Sequence, residues 1–386
     1  MRLLPIDYPI RNLGRRPSRT FLTGLACALA AGVLVAVVSF VNGLEASFSS
    51  QGRPDVALLL STSAQRDIIR SAISPAVADL VAADIDGIAK VHGVAAVSPE
   101  IHMGTNVRLG QSDEVHAGFV RGITDRAFLV HDRVTLVEGR LPGSGEVLVG
   151  SLVAKKLGVS DDQVAVGRTV RIENGTFRIV GRFRAPGTTI ESEIWAPLNE
   201  LKARAQRDDI SCVFARVREP DTITDIDVFT QRRLDLELST IRTDVYYAEL
   251  ASYFAPIRAL AWIMAIMIAT TVVLTGANSL NTTVQDRIRE LATLRAIGYG
   301  GAALVTSLLI EALLLAAAAG MTGLVLARIA VQNTTFQIGM GAFALEVGGA
   351  AILAGFSGVL LIGLLGTLPA SVRLLRMHVA AALVED

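Results

Sequence analysis

The chain of 386 residues combines 51% hydrophobic residues with only 19% charged ones, and its mean hydropathy is +0.49. A soluble domain of this size carries about a quarter charged residues, so the apolar excess indicates membrane-spanning segments. The 36 basic and 36 acidic residues cancel, which argues against nucleic-acid binding, and two cysteines exclude a disulfide scaffold or a cysteine-based metal cluster.

The chain begins with an arginine-rich segment followed by a long apolar run. We predict that residues 1–20 form a cytoplasmic amphipathic segment and that residues 21–43 form the first transmembrane helix, TM1. The run from Phe21 to Val41 carries no charge and is long enough to cross the hydrocarbon core. A signal peptide would have an apolar region of about 7–15 residues and a small-residue cleavage site, so we expect an uncleaved anchor.

TM1 also carries small residues at a spacing of four, which allows helices to approach closely in a membrane. These residues are Gly24, Ala28, Gly32 and Ala36. Such a stripe serves either as a dimer seam or as a helix contact within one protomer, and the sequence leaves both alternatives open.

Residues 44–256 have the mixed pattern of an α+β domain, and they are numerous enough to bury a core. Ser74-Pro75 has the residue types of a helix start, and Asn174-Gly175 is a strong hairpin signal. The predicted helices are Pro75–Val91 and about Thr224–Leu236, and the predicted strands are Val94–Val97, Glu146–Val149, Thr169–Glu173, Thr176–Gly181, Ser211–Val217 and Ser239–Val245.

This domain shows no pattern of catalytic residues. Ser144, in GSGEVLVGS, lacks the GxSxG spacing of a hydrolase elbow and is interpreted as part of a turn. The four histidines of the domain lack the spacing of a zinc site, so each is expected to be an ordinary surface residue. They are His92, His102, His116 and His131. We therefore predict no catalytic, cofactor or metal site in this chain.

Three further apolar runs complete four predicted membrane crossings. The predicted segments are TM2 at 257–281, a cytoplasmic link at 282–300, TM3 at 301–328, a short outer loop at 329–346, TM4 at 347–368 and a cytoplasmic tail at 369–386. Arginines occur in the N-terminal segment, the link and the tail, whereas the outer loop has neither Lys nor Arg. The positive-inside rule therefore places both termini and the link in the cytoplasm and residues 44–256 outside.

Aromatic residues cluster just before and within the start of TM2, where this span should meet the outer membrane interface. They are Tyr246, Tyr247, Tyr253, Phe254 and Trp262. We interpret them as an aromatic belt at that interface.

The link contains VQDRIRELATLRAIG from Val284 to Gly298, which predicts one amphipathic helix that ends at the glycine. Two interpretations stay open: a solvated linker, or a docking surface for a cytoplasmic partner. In TM3, Glu311 lies about ten residues, or roughly 15 Å, into the span. A carboxylate at this depth costs about 2.5–3.5 kcal/mol, so we expect a hydrogen bond between helices, with ion coupling as the alternative.

The link sequence DRIRELATLRAIG, followed by a long span with an early Glu, resembles the FtsX-like permease family. This family includes the membrane subunits of MacB-, LolC- and DevC-type ABC transporters, of which the DevC type looks most similar. The segments RNLGRRPSRTFLTGLACALAAG and LPASVRLLRMHVAAAL resemble the family's opening and closing segments, although His378-Val379 stands where the closing motif usually has a proline. The stretch LVEGRLPGSGEVLVGSLVAKKLGV resembles the family's extracytoplasmic domain.

The resemblance implies a membrane protein with four transmembrane α-helices and a large α+β extracytoplasmic domain inserted between helices 1 and 2. It implies the permease subunit of a mechanotransmission-type ABC transporter in the bacterial inner membrane. Such a subunit couples ATP hydrolysis by a separate ATPase subunit to export or extraction of a substrate on the periplasmic side. The ATPase-coupling residues implied by the resemblance are Asp286, Arg287, Glu290, Leu291, Leu294, Arg295 and Gly298.

The chain itself has no intact GxxxxGK[ST] motif, so we expect no ATPase activity in it and expect ATP and Mg on the ATPase partner. The partners implied are two copies of that ABC ATPase, a second permease subunit as a homo- or heterodimer, the lipid bilayer and a periplasmic adaptor protein. The alternative function is a non-transporting scaffold of the FtsX type that activates periplasmic cell-wall hydrolases. The sequence does not identify a substrate.

Overall fold

The structure is a computed structural model of the chain, and it describes residues 7–15, 17–331, 334–338, 341–345 and 347–376. The chain divides into two compact units. The described residues of Met1–Asn42, Ala255–Thr334 and Leu345–Asp386 form the membrane unit, and those of Gly43–Phe254 and Thr335–Ala344 form the outer unit. The closing motif at His378-Val379 lies outside the described residues.

Helices and strands are numbered in chain order. The helices α1 to α12 are Asp7–Arg15, Pro17–Ser49, Val77–Asp84, Ala127–Val130, Val153–Leu157, Leu198–Ala205, Ile223–Arg232, Thr243–Ser252, Ala255–Asp286, Ile288–Ala296, Gly301–Val331 and Gly349–Arg376. The strands β1 to β14 are Val56–Ser61, Lys90–Val91, Val94–Ala95, Val97–Leu109, His116–Ile123, Thr135–Gly139, Glu146–Gly150, Thr169–Ile172, Gly175–Arg184, Ile194–Pro197, Cys212–Arg216, Leu238–Arg242, Thr335–Ile338 and Gly341–Ala344.

Four helices are long and apolar enough to cross a membrane, namely α2, α9, α11 and α12. Each has at least 28 residues in the stretch that qualifies, and about 20 residues span the hydrocarbon core. The mixed domain follows the first of these helices and precedes the second. The predicted fold class, four transmembrane helices with an α+β domain inserted between helices 1 and 2, is confirmed.

Close approach between helix backbones organises the membrane unit. A Cβ atom added at Gly323 of α11 would lie 2.2 Å from the carbonyl oxygen of Ala28, and one added at Gly355 of α12 would lie 2.3 Å from Val35 Cγ2. Both positions therefore require glycine. Without a hydrophobic driving force between helices in lipid, such close packing holds the bundle together.

The small-residue stripe of the first span is used inside the protomer. A Cβ at Gly24 would lie 3.4 Å from Leu315 Cδ1, and one at Gly32 would lie 3.5 Å from the carbonyl oxygen of Gly323. Because Ala28 is also buried, three of the four stripe positions face α11, while Ala36 is half-buried. These three positions therefore take part in a helix contact within one protomer, and the dimer seam stays a prediction.

The outer unit is built on one mixed sheet with the strand order β12-β1-β11-β4-β5-β10-β7-β9-β6. Most neighbouring strands are antiparallel, and the pairs β5–β10 and β7–β9 are parallel. The long strand β4 pairs in turn with β11, β5 and β8, and β8 also pairs with β9. The helices α3, α5, α6 and α7 cover one apolar core, in which Val97, Val147 and Ile179 are fully buried.

Three local predictions need correction. The helix predicted over Pro75–Val91 ends at Asp84, because Ala89 N–H donates to the carbonyl of Arg216 and the chain continues as β2. The hairpin formed by β8 and β9 is confirmed, but its two turn residues are Glu173 and Asn174, because Ile172 pairs with Gly175. The segment predicted as a plain outer loop at 329–346 contains the hairpin of β13 and β14, and Ala342 N–H donates to Ser192 Oγ of the outer unit at 3.0 Å.

Candidate functional site

The link between α9 and α11 is a separate short helix. The helix α9 ends at Asp286, Arg287 departs from helical geometry with φ −119° and ψ 17°, and α10 begins at Ile288. The prediction of a single helix over 284–298 is therefore wrong at its start. At the other end Gly298 has a φ of +106°, a conformation that glycine adopts without strain, and α10 has already ended.

One face of α10 packs inside the membrane unit. Leu291 and Ala292 are buried, and Leu291 belongs to an apolar cluster with Leu304 of α11 and Leu374 of α12. Leu294 packs against the same cluster. The helix is therefore held on α11 and α12 by apolar burial, the strongest general source of packing free energy outside the lipid core.

The other face of α10 is exposed. It carries Arg289, Glu290 and Thr293, and at its end the Ile297 side chain is 70% exposed. Arg295 is half-buried and donates to the carbonyl oxygen of Leu374 at 3.4 Å. The helix thus presents a polar surface with one apolar residue at its end.

Polar contacts tie α1 to α10. Arg15 Nη1 lies 3.2 Å from both carboxylate oxygens of Glu290, and Arg287 Nε donates to Glu290 at 3.2 Å. Arg287 Nη2 also donates to the hydroxyl of Tyr8 at 2.6 Å, and its guanidinium lies 5.3 Å from the centre of the Tyr8 ring. An interaction between a cation and an aromatic face adds to the hydrogen bond.

The same helix α1 reaches into the third span. The carboxamide of Asn12 donates to the Glu311 carboxylate, and Asn12 is only 8% exposed. The expected interhelical hydrogen bond of Glu311 is therefore present, and its partner comes from the N-terminal helix. We call the set of Tyr8, Asn12, Arg15, Arg287, Glu290 and Glu311 the α1 latch.

A second group of charges is buried in the outer unit. Glu100 on β4 is fully buried and accepts four hydrogen bonds, from Ser98 Oγ at 2.8 Å, Arg121 Nη1 at 2.8 Å, His131 Nε2 at 2.8 Å and His102 Nε2 at 3.0 Å. A buried carboxylate is tolerated only when it is paired in this way.

Arg121 on β5 connects this carboxylate to another one. Its Nε and Nη2 atoms donate to Glu193 at 2.6 and 2.7 Å, which is the bidentate geometry of the strong arginine–carboxylate pair. Trp195 Nε1 donates to Glu193 at 2.9 Å, and the guanidinium lies 5.6 Å from the centre of the Trp195 ring. We call Glu100, His102, Arg121, His131, Glu193 and Trp195 the buried network.

The network sets the protonation of its members. Burial opposes ionisation of Glu100, but the charges of His131 and Arg121 and two histidine hydrogen bonds outweigh it and hold the pKa of Glu100 well below its usual value. Burial, together with the charge of Arg121, lowers the pKa of His102. At neutral pH the carboxylate is therefore charged and the His102 ring is neutral.

Glu100, His102 and Cys212 bring three possible metal-ligand atoms within 4.8 Å of one another. A metal ion would need the Cys212 thiolate, but burial and the charge of Glu100 raise the pKa of this thiol well above its usual value. The Glu100 oxygen that faces His102 is also bonded to Arg121, whose positive charge opposes a cation there. This donor set does not fit a metal ion.

A cavity of about 740 Å³ opens beside the network in the outer unit. His102, Arg121 and Glu193 form part of its lining, and six aromatic side chains form much of the rest. These aromatic residues are Phe48, Phe119, Tyr246, Tyr247, Tyr253 and Phe254. A cavity of this size with a few convergent polar groups is typical of small-molecule sites.

Two sequence interpretations fail at this cavity. Tyr246 and Tyr247 are buried in the outer unit, so they do not belong to an aromatic belt at the membrane interface. His102 is 3% exposed and His131 bonds to Glu100, so neither is an ordinary surface histidine. One signal was available: Arg121 lies in the otherwise uncharged strand segment GFVRGI, where an arginine needs a buried partner.

Two family models match this chain. The model described as MacB-like periplasmic core domain matches residues 20–227, more than half of the chain, and the model described as FtsX-like permease C-terminal matches residues 262–379. The macrolide export ATP-binding/permease protein MacB of Bartonella henselae is 22% identical over an alignment of 330 residues, which covers 79% of this chain and 48% of that protein. The chain thus spans about half the length of this relative.

Two solved structures are each similar to about half of this chain. The periplasmic region of MacB from Actinobacillus actinomycetemcomitans covers 52% of this chain and 94% of its own, with a TM-score of 0.41 and 12% identity. The extracellular domain of the noncanonic ABC-type transporter YknZ from Gram-positive bacteria covers 48% of this chain and 99% of its own, with a TM-score of 0.37 and 15% identity.

Proposed function

Because the chain belongs to the FtsX-like permease family and carries a MacB-like periplasmic core domain, we propose that it is a mechanotransmitting permease subunit that couples a separate ATPase to its outer domain. Membership of the family supports an ABC transporter permease. The observation that carries the coupling proposal is the break at Arg287, which makes α10 a separate helix with one packed and one exposed face.

Contacts within each unit support the topology proposed here. The α1 latch joins the N-terminal helix to α10, so the N-terminal segment and the link lie on one side of the membrane. The hairpin of β13 and β14 belongs to the outer unit, so we place the loop between α11 and α12 on the same side of the membrane as residues 43–254. The arginine distribution supports our proposal that both termini and the link are cytoplasmic.

In this proposal the α1 latch transmits a displacement of α10, caused by the ATPase, to the membrane-spanning helices. A force on α10 acts on α11 and α12 through Leu291, and it acts on α1 through Arg287 and Glu290. Because Asn12 of α1 bonds to Glu311, displacement of α1 also acts on the third span. The residues with proposed coupling roles are Asp286, Arg287, Glu290, Leu291, Leu294, Arg295 and Gly298.

The remaining partners follow from the same proposal. The permease functions as a dimer with two ATPase subunits, in a bacterial inner membrane, and exports or extracts a substrate on the periplasmic side. An adaptor protein completes the assembly where the substrate must cross a second membrane.

The coupling proposal is tested with the full-length chain and its ATPase subunit reconstituted in nanodiscs. The variant Ile297→Asp changes an exposed side chain at the end of α10, and Val137→Asp changes a side chain of the outer unit that is 59% exposed. We expect Ile297→Asp to reduce co-purification of the ATPase and the stimulation of its activity, because a charge replaces an apolar contact. The control Val137→Asp should leave both unchanged.

Two outcomes contradict the proposal. Normal ATPase binding and stimulation by both Ile297→Asp and Glu290→Lys would show that α10 is not the coupling element. Labelling of Asn174→Cys and Arg289→Cys from the same side of the membrane would exclude the topology, and the buried native cysteines keep the background of this experiment low. Capture of a cell-wall hydrolase by the outer domain, with no substrate transported, would favour the scaffold alternative.

A further inference from the structure

The cavity of the outer unit is unusual in its concentration of aromatic side chains. Aromatic residues make up 5% of the chain, yet six of them line this single cavity. Phe48 and Phe254 stack with ring centres 5.4 Å apart, and Tyr253 is 75% exposed although it lies next to this pair. An aromatic ring that folding leaves open to solvent offers a face to a ligand.

The charges of the cavity favour one sign of ligand. Both lining arginines are already paired with carboxylates: Arg121 with Glu193 in a bidentate contact, and Arg66 with Glu249. Asp67 is a third lining carboxylate, and its nearest cation is Arg70, 3.4 Å away and 83% exposed. Among the described lining residues, acidic groups therefore exceed basic ones, and an anion would have to displace an existing ion pair.

The rim of the cavity contains a strained segment. Gln65 and Arg66 are consecutive residues with φ of +49° and +67°, a conformation that side chains with a Cβ rarely adopt. Both residues line the cavity. Strain of this kind is retained where the surrounding structure holds a loop in place for a function.

We propose that this cavity binds a hydrophobic organic cation, whose apolar body contacts the aromatic walls and whose charge lies near Asp67 and the face of Tyr253. Cations bind aromatic faces through the ring quadrupole, and the surplus carboxylate adds Coulomb attraction. The volume of about 740 Å³ accommodates a molecule of drug size. As a site for a transported molecule this rests on the proposed function, but binding itself requires no ATPase.

The test compares two ions of the same shape and opposite charge, tetraphenylphosphonium and tetraphenylborate. Equilibrium dialysis with the full-length chain in nanodiscs, corrected with empty nanodiscs, measures saturable binding of each. We expect saturable binding of tetraphenylphosphonium only. Tyr253→Ala should weaken it about two- to fivefold through loss of the cation–aromatic contact, and Asp67→Asn by a similar factor of about two to five.

Two further variants locate the site. Leu250→Trp fills the cavity and should reduce affinity at least about tenfold, because the ligand and the new ring compete for the same volume. Asp79→Asn removes a carboxylate whose side chain is 81% exposed outside the cavity and should have no effect. Tyr253→Ala and Asp79→Asn both change exposed side chains, so the effects of these two variants do not depend on repacking of a core.

Equal saturable binding of both ions, or no saturable binding in the millimolar range, would overturn the proposal. So would tetraphenylphosphonium binding that Tyr253→Ala, Asp67→Asn and Leu250→Trp all leave unchanged. Because the measurement contains neither ATPase nor ATP, its failure is distinct from a failure of ATPase coupling, which the Ile297→Asp experiment reports.

Discussion

The Arg15–Glu290 pair of the α1 latch and the Arg121–Glu100 pair of the buried network both join charged residues from different elements, but their environments are opposite. In the latch, the side chains of Arg15 and Glu290 are 58% and 51% exposed, whereas those of Arg121 and Glu100 in the network are 2% and 0% exposed. Exposed ion pairs contribute about 0.2–1 kcal/mol, whereas breaking a buried pair costs about 3–5 kcal/mol. The network therefore stabilises one fixed arrangement, whereas the Arg15–Glu290 pair of the latch is weak enough for a partner to separate.

The largest expected effect comes from removing the arginine of the network. Arg121→Met leaves Glu100 and Glu193 buried without their cation, so the free energy of unfolding of the outer unit should fall by about 3–5 kcal/mol. Urea unfolding of the purified full-length chain, followed by the fluorescence of Trp195 in a Trp262→Phe background, measures the loss. The control Arg140→Met, at a solvated pair with Glu146, should have a much smaller effect on the free energy of unfolding. Equal losses in the two variants would remove the contrast between buried and exposed charge.

A second test asks whether substitution of an uncharged residue in the membrane unit lowers stability to a degree comparable with Arg121→Met in the outer unit. Gly323→Val would force atoms against the Ala28 carbonyl and should destabilise the bundle by about 1–3 kcal/mol. Thermal unfolding in detergent measures this change. The control Gly276→Val has no neighbour within 4 Å of its new Cβ and should be nearly neutral. If Gly323→Val unfolds no earlier than the control, the close contact of α2 and α11 is not formed.

The third test measures how the stability of the outer unit depends on pH. The folded outer unit holds His102 neutral, whereas the unfolded chain protonates it below its ordinary pKa of 6.5, so stability should fall as the pH drops below about 6.5. The depressed pKa of Glu100 adds a further loss below its ordinary value of 4.5. Each group contributes a slope of up to about 1.4 kcal/mol per pH unit.

Urea midpoints of the full-length chain at pH 7.5, 6 and 5 measure this dependence. His102→Asn should flatten the change between pH 6.5 and 5, and the matched control His92→Asn, at an exposed position, should keep the slope of the parent protein. Identical slopes in the two variants would show that His102 does not titrate on unfolding.

The smallest expected effect belongs to the latch. A double-mutant cycle with Arg15→Gln and Glu290→Gln should give a coupling energy of about 0.2–1 kcal/mol in thermal unfolding, because both side chains are solvated. The same pair should change ATPase stimulation far more than stability. A coupling energy above about 2 kcal/mol would place the latch in the same class as the buried network.

The sequence predicts best what depends on local pattern. The four spans follow from apolar length alone, and the β8–β9 hairpin follows from alternation and Asn174-Gly175, although the turn lies one residue earlier. The break at Arg287 was not predicted, because DRIREL has good helix-forming residues and the interruption coincides with the bonds of Arg287 to Tyr8 and Glu290.

The buried network escaped prediction for a different reason. Glu100, Arg121 and Glu193 lie on β4, on β5 and just before β10, and only the order of strands in the sheet brings them together. Arg121, in an otherwise uncharged strand segment, gave the one available signal, whereas Glu100 and Glu193 each resemble an ordinary surface charge. The partner of Glu311 was hidden in the same way, because Asn12 is 299 positions away and no periodicity connects the two.

The pairing of strand β4 with three other strands has a consequence for the stability of the sheet. Its first residues pair with β11, its middle with β5 and its end with β8, and Glu100 and its arginine lie where the first of these partnerships passes to the second. The strands on either side of β4 are therefore joined by one continuous backbone, and the Glu100–Arg121 ion pair lies where its pairing partner changes. Because β4 is paired along its whole length and carries this buried ion pair, we expect its amide hydrogens to exchange together and among the last of the outer unit.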